Sequence, residues 1–193
     1  MSAEDKLATA KEYKEKADQA FKSGDVQAAL TSYHFALTYL NGLDKSALKQ
    51  ISMISPQATQ RAEGEALKEK TEVDEVLEKV YANMAACHMK KGNWKRAQET
   101  ADKALAKNDQ NFKAMFRKAK ALGEQGYLEK CEKLFEELKT KNPDDTALVD
   151  QELARFRAID KEKERVHKQK LKGFLNKAAD KKTATIEELP SSA

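Results

Sequence analysis

Apolar residues recur every three or four positions in six segments of this chain, which is the spacing that places side chains on one face of an α-helix. In the first segment, Leu7, Ala10, Tyr13 and Ala17 follow this spacing, and the pattern extends from about residue 3 to residue 22. No segment of a strand's length alternates β-branched and polar residues. Glycine and proline number only 7 and 3, which favours long helices over hairpin turns. We therefore predict an all-α protein.

Three glycines separate the two helices of each predicted pair. Gly24, Gly92 and Gly126 each follow one apolar stripe and precede another. The last two are 34 residues apart and the first two are 68 apart, which is twice that interval. A period of 34 residues is typical of stacked helix–turn–helix repeats. The spacing therefore predicts three helix pairs over residues 3–144, and arrays of this kind present a surface for binding another protein.

Residues 43–71 interrupt this period. They contain Pro56 and Gly64 without a sustained apolar stripe, and Ala58 stands where a further repeat would carry its turn glycine. We interpret the segment as a solvated insertion between the first and second helix pairs, because insertions in repeat proteins map to loops. A degenerate fourth repeat is the alternative.

A seventh, long helix is predicted to begin near Asp145. Val149 and Leu153 belong to an apolar stripe over its first three turns. We expect this part to cap the last repeat, because the stacking face of that repeat would otherwise be exposed to solvent. We assign residues 145–179 to this capping and extended basic helix. Residues 180–193 end in proline, serine and alanine, and we predict a disordered tail there.

The net charge of +4 is distributed unevenly along the chain. Residues 155–182 contain eleven Lys or Arg and four Asp or Glu, which gives this segment +7 and the remainder about −3. Its apolar residues are sparse and its acids lie at spacings that favour ion pairs within a helix, so we interpret it as a solvated helix. A calmodulin-like partner is the alternative that a basic amphipathic helix also suits. Nucleic-acid binding is disfavoured because aromatic residues are few.

The remaining composition excludes several kinds of site. Cys87 and Cys131 lie in helical patterns without a paired spacing, so we expect both to be reduced. The histidines have no partners at metal-binding or catalytic spacing, and no phosphate-binding loop or nucleophile motif occurs. We therefore predict no metal, no cofactor and no enzymatic activity. The chain starts without an apolar signal segment and has no long apolar stretch, which predicts a cytoplasmic protein without membrane insertion.

Residues 11–37, 80–105 and 112–143 resemble three tetratricopeptide repeat motifs. The resemblance implies a right-handed superhelix of three repeats followed by the seventh helix. With its insertion and basic helix, the layout is similar to the repeat domain of large immunophilins and to proteins related to tetratricopeptide repeat protein 9. Immunophilins add a prolyl isomerase domain upstream, so the regulatory half of such an enzyme is one alternative. The second group needs no further domain, and we prefer it.

Chaperone-binding members of this family share a set of groove residues, the carboxylate clamp, which grips a C-terminal Glu-Glu-Val-Asp peptide. The resemblance implies that Lys14, Asn83, Lys113 and Arg117 occupy four of the clamp positions. The remaining position, an asparagine in the family, is Asp18. The resemblance therefore implies a non-enzymatic adaptor or co-chaperone that binds the C-terminal peptide of heat-shock protein 90 or 70. A scaffold for a different partner is the alternative.

The chemistry of these residues suits an anionic ligand. Lys14 and Asp18 are four residues apart, as are Lys113 and Arg117, so each pair lies on one helix face. Lysine and arginine donate charge-assisted hydrogen bonds to carboxylates, worth roughly 1.5–3 kcal/mol each. Asp18 is the exception, because its carboxylate would repel an anionic ligand unless it pairs with Lys14 or Lys22. We include Asp18 among the predicted peptide-binding residues.

Overall fold

The structure is a computed structural model that describes residues 1–44 and 71–187, with side chains as far as residue 174. Six helices form three hairpin-like pairs: α1 (Ala3–Lys22) with α2 (Val26–Leu40), α3 (Glu72–Lys90) with α4 (Trp94–Lys107), and α5 (Phe112–Glu124) with α6 (Leu128–Lys141). A 3₁₀ turn (Pro143–Asp145) leads into α7 (Thr146–Glu187). The described ranges contain no strand, which confirms the all-α prediction. The predicted insertion lies outside the described residues, apart from its two ends.

Polar side chains at the first residues explain where the helices begin. α1 and α3 start with capping boxes, in which the backbone N–H groups of Asp5 and Asp74 donate to the hydroxyls of Ser2 and Thr71 at 3.1 and 3.2 Å. Their carboxylates accept hydrogen bonds from the cap residues in return. The starts of α2, α4 and α5 are capped by Asp25, Asn93 and Asn111. These caps satisfy N–H groups that have no partner within the helix.

Each pair turns at a glycine in the left-handed region of backbone conformation. The φ angles are +90° for Gly24, +68° for Gly92 and +88° for Gly126. Residues with a Cβ atom rarely adopt this conformation, whereas glycine does so without steric cost. The three glycines that define the sequence period are therefore the residues that reverse the chain direction.

Small buried residues let the helices approach one another closely. Ala17 on α1, Ala29 on α2, Ala85 on α3 and Ala119 on α5 are fully buried. Cys87 and Cys131 are also buried, and their reduced state stays a prediction. Among the larger side chains that are fully buried are Tyr33, Leu40, Leu77, Phe135 and Leu138. Close packing of this kind fixes the relative positions of the surface side chains on neighbouring helices.

The first helix of each pair belongs to one continuous layer. α1 contacts α3, and α3 contacts α5. Within the described residues, no comparable contact joins α2 to α4 or α4 to α6. The second helices therefore splay apart while the first helices stay close. The layer of α1, α3 and α5 lines the inner side of the stack.

Helix α7 is a separate unit with its own internal contacts. Glu162 pairs with Arg165 at 2.7 Å and Glu164 pairs with Lys168 at 2.9 Å, and these four side chains are more than half exposed. The helix continues to Glu187, past residue 179 where we predicted its end. Residues 180–187 contain no glycine or proline that would end the helix. The capping role of its first turns stays a prediction, and residues 188–193 of the predicted tail lie outside the described residues.

Candidate peptide-binding groove

The inner layer carries all five predicted peptide-binding residues. Lys14 and Asp18 lie on α1, Asn83 on α3, and Lys113 and Arg117 on α5. The packing of α3 between α1 and α5 brings these three helix faces together. The surface formed by these five residues is called the groove below.

The carboxylate of Asp18 is the centre of a hydrogen-bond network. Nζ of Lys14 donates to Oδ2 at 2.7 Å, and Nδ2 of Asn83 donates to Oδ1 at 2.9 Å. The hydroxyl of Tyr33, a fully buried residue of α2, also donates to Oδ1. One carboxylate thus joins α1, α2 and α3. We name Lys14, Asp18, Tyr33 and Asn83 the filled half of the groove, because its donors already bind a carboxylate.

Asp18 is ionised in this network. Burial acts to raise its pKa, but the hydrogen bonds from Lys14, Tyr33 and Asn83 and the charge of Lys14 outweigh that effect. The net result is a pKa below the ordinary value for aspartate. Burial and the contact with Asp18 raise the pKa of Tyr33, so its hydroxyl keeps its proton and remains a donor. The carboxylate of Asp18 therefore carries a full negative charge at neutral pH.

Arg117 lies directly beside the filled half. Its Nη1 donates to the carbonyl oxygen of Ala82 at 2.7 Å, one residue before Asn83. Burial lowers the pKa of Arg117, while Tyr33 and Cys87 nearby act in the opposite direction. The guanidinium remains protonated at neutral pH, as arginine does in proteins generally.

Lys113 precedes Arg117 by one helical turn and is exposed. No carboxylate within residues 1–44 and 71–174 pairs with either side chain. We name Lys113 and Arg117 the open half of the groove. Counting both halves, the five groove residues include three cationic side chains and one carboxylate, an excess of positive charge that favours an anionic ligand.

The sequence did not reveal the part played by Tyr33. We read this residue only as a member of the apolar stripe of α2, whereas its hydroxyl is a third donor to Asp18. A tyrosine in the middle of a buried stripe could have signalled this contact, because a buried hydroxyl requires a hydrogen-bond partner.

A separate cleft of about 640 Å³ lies where α4 and α6 splay apart over α5. Lys95 and Lys133 stand at its walls, and Leu122 and Leu134 contribute apolar surface. None of the five predicted residues lines it. Among the described residues, no three His, Cys, Asp or Glu side chains are arranged to hold a metal ion. No helix within those residues is both long and apolar enough to cross a membrane.

Comparison with known proteins identifies the fold. Residues 88–155 match the tetratricopeptide repeat family model. The C-terminal domain containing tetratricopeptide repeats (TPR) of a Plasmodium falciparum FK506-binding protein superposes with a TM-score of 0.65 at 19% identity. The alignment covers 86% of this chain and 97% of that one. Residues 88–155 therefore contain tetratricopeptide repeats, and the described chain has the fold of a TPR domain.

Two further TPR domains were solved with chaperone peptides. The first TPR domain of Spaghetti (RPAP3), bound to the HSP90 peptide SRMEEVD, has a TM-score of 0.56 at 18% identity and covers 79% of this chain and 96% of its own. The second TPR domain of human RPAP3, in complex with the HSP70 peptide SGPTIEEVD, has a TM-score of 0.55 at 15% identity, with coverages of 81% and 98%. Identities this low establish a shared fold and leave the ligand of this chain open.

A human relative matches by sequence over a shorter stretch. Zinc finger CCCH domain-containing protein 7B is 42% identical over 52 residues. That stretch is 27% of this chain and 5% of the relative, so the chain corresponds to a small part of it. The more specific likeness to proteins related to tetratricopeptide repeat protein 9 stays a prediction.

Proposed function

We propose that this TPR domain is a non-enzymatic adaptor whose groove binds the acidic C-terminal peptide of heat-shock protein 90 or 70. The observation that carries the proposal is the buried guanidinium of Arg117, which lies next to Asn83 and has no carboxylate partner among the described residues. The exposed Lys113 lies one helical turn away on the same helix. A cytoplasmic location follows from a partner of this kind.

Arg117 is the strongest attraction for a carboxylate in this groove. Burial removes solvent from its guanidinium, and no carboxylate of the described residues replaces that solvent. An incompletely solvated charge without an ionic partner is costly. A ligand carboxylate that accepts from the guanidinium offsets this cost, and arginine can bind both carboxylate oxygens at once. Lys113, on the same helix face, adds a second cation.

Two TPR neighbours support the chemical class of the ligand. Their solved complexes contain peptides ending in Glu-Glu-Val-Asp. Peptides of this class carry several carboxylates within a short length, which suits a groove with an excess of cationic side chains. The fold shared with these neighbours and the excess positive charge of the groove both support an acidic peptide as the ligand.

Titration with the peptide Met-Glu-Glu-Val-Asp tests the proposal. We expect saturable binding to the full chain by isothermal calorimetry at low salt, and we expect affinity to fall as salt rises. Loss of one charge-assisted hydrogen bond predicts roughly tenfold weaker binding for Lys113→Ala and a larger loss for Arg117→Ala.

Lys133→Ala is the matched control, since this lysine is exposed on α6 and lines the separate cleft. Its affinity should equal that of the unmodified chain. Absence of binding below about 100 μM peptide contradicts the proposal, as does equal affinity in the Lys113 and Lys133 variants. Circular dichroism should first establish that Arg117→Ala remains folded, because this side chain also bonds α3.

A further inference from the structure

We infer that the carboxylate of Asp18 occupies the filled half as an internal ligand. Peptides are then selected by one of their own acidic side chains, which binds the open half, and a free chain end is not required. This inference rests on the proposed function and specifies which peptides the groove accepts. It extends the ligand class from chain termini to acidic segments within a chain. The juxtaposition of Lys14, Asn83 and Tyr33 around one carboxylate carries it.

Both oxygens of Asp18 are occupied by donors. Oδ1 accepts from Tyr33 and Asn83, and Oδ2 accepts from Lys14. This is the arrangement that donors give to a bound carboxylate: two hydrogen bonds to one oxygen and an ammonium group on the other. The carboxylate is covalently part of α1, so it occupies the position without loss of translational freedom. A peptide carboxylate must compete with it for the same donors.

Repulsion prevents a second carboxylate from sharing these donors favourably. A carboxylate bound to Lys14 or Asn83 would lie within a few ångströms of Asp18, which is ionised. At that separation, the like-charge repulsion is comparable to the charge-assisted hydrogen bond gained. The two effects cancel to a large extent. A ligand carboxylate therefore gains little from the filled half.

The open half has no such competitor. Lys113 and Arg117 lie on one face of α5, and no carboxylate of the described residues pairs with them. One acidic side chain of a peptide can bind both, whether it belongs to a terminal or an internal residue. When that side chain occupies the open half, the α-carboxylate of a chain end is a second anion close to it. No other pair of unpaired cations in the groove is left to bind this α-carboxylate. Selection therefore depends on side-chain carboxylates.

The test compares two peptides on the full chain and two variants. The peptides are Met-Glu-Glu-Val-Asp as the free acid and as the C-terminal amide, which keeps every acidic side chain. We expect the unmodified chain to bind both with affinities within about threefold, because the α-carboxylate adds little. We expect Asp18→Asn to bind the free acid at least about tenfold more tightly than the amide, since its donors are released.

Asp102→Asn is the matched control, because Asp102 also pairs with a lysine, Lys118 at 2.6 Å, but lies on α4. Its affinities for the free acid and for the amide should equal those of the unmodified chain. Asp18→Ser provides a second neutral residue at this position should the asparagine variant melt at a much lower temperature. Both Asp18 variants should show the same change in the ratio of free-acid affinity to amide affinity.

The possible results separate this inference from the proposed function. A tenfold preference of the unmodified chain for the free acid overturns the inference and leaves the function standing. An unchanged preference in both Asp18 variants overturns it as well. If only the Asp18 variants bind the free acid, Asp18 is the internal ligand and the proposed function fails. If no protein binds either peptide, both proposals fail.

Discussion

Two lysine–aspartate clusters in this molecule differ in which charge stands at the centre. In the first, which we name the anchor cluster, Nζ of Lys107 contacts Asp44 at 2.6 Å and Asp74 at 2.9 Å. In the filled half of the groove, Asp18 is central and Lys14 is one of three donors. The side chain of Lys107 is 11% exposed, whereas those of Lys14 and Asp18 are 22% and 26% exposed.

The difference separates a structural task from the binding task that we propose. Asp44 directly precedes residues 45–70 and Asp74 closely follows them, so Lys107 holds the chain on both sides of that segment. Its charge is satisfied by the protein itself. In the groove, a central carboxylate keeps Lys14 and Asn83 engaged while Lys113 and Arg117 beside it have no ionic partner among the described residues. The anchor cluster therefore stabilises the fold, and the groove retains attraction for an anion.

Among the variants that test this comparison, Lys107→Ala should cause the largest decrease in the free energy of unfolding. Removal of the lysine leaves Asp44 and Asp74 close together and largely buried without their shared cation. Loss of one partner from a buried ionic contact destabilises by about 3 kcal/mol or more. We expect that decrease in the free energy of unfolding, measured by urea denaturation at pH 7. Peptide affinity of the folded variant should not change.

Lys118→Ala is the control for this measurement. Lys118 also joins two helices through an ion pair, with Asp102 at 2.6 Å, but these side chains are 29% and 42% exposed. Exposed pairs contribute about 0.2–1 kcal/mol. If the two lysine variants lose equal stability, the anchor cluster has no special role and the comparison fails.

A smaller decrease in the free energy of unfolding should appear when pH is lowered. Burial acts to raise the pKa of Asp74, but hydrogen bonds from Thr71 and Lys107 and the charge of Lys107 bring it below its ordinary value of 3.8. A depressed pKa contributes stability that is present above the unfolded value and lost as pH falls through the folded value. The contribution of Asp74 to stability should therefore be constant from about pH 5 to 7 and decline below pH 4.

Comparison of the unmodified chain with Asp74→Asn isolates this contribution. The variant should be less stable at pH 7, and the difference should shrink as pH falls from 5 to 3, since the neutral amide does not titrate. Urea denaturation at each pH provides the free energies. A difference that stays constant with pH would show that the charge of Asp74 is irrelevant, and that only the hydrogen bonds its side chain accepts from Thr71 at the start of α3 matter.

The sequence predicted the fold well because the determinants of the fold are local. Helix periodicity depends on residues three and four positions apart, and Gly24, Gly92 and Gly126 reverse the chain through their own backbone conformation. The start of α1 and the turn after α3 could be predicted without knowledge of distant contacts. The end of α7 was less predictable, because no glycine or proline occurs between residue 179 and Pro190 to mark it.

The groove could be predicted only in part, because its contacts join residues far apart in the chain. The repeat period placed Asp18, Asn83 and Arg117 on corresponding helix faces, and the pairing of Asp18 with Lys14 was anticipated as one outcome. The contacts of Asp18 with Asn83 and Tyr33 span 65 and 15 residues. Such contacts depend on the packing of three helices. The same is true of Lys107, whose acidic partners lie 63 and 33 residues away.

The smallest effect should come from Tyr33→Phe, which removes one donor of Asp18 and leaves the ring in place. Tyr33 is fully buried, and its hydroxyl bonds an ionised carboxylate, so the expected loss in the free energy of unfolding is about 1.5 kcal/mol. Tyr39→Phe on the same helix should cost less than about 0.5 kcal/mol, because the Tyr39 hydroxyl has no partner in the described part of the chain. Loss of a donor should also raise the pKa of Asp18 towards its ordinary value, measurable by carbon NMR titration of the carboxyl group. A loss as large as that of Lys107→Ala would mean that the filled half, like the anchor cluster, chiefly holds the helices together.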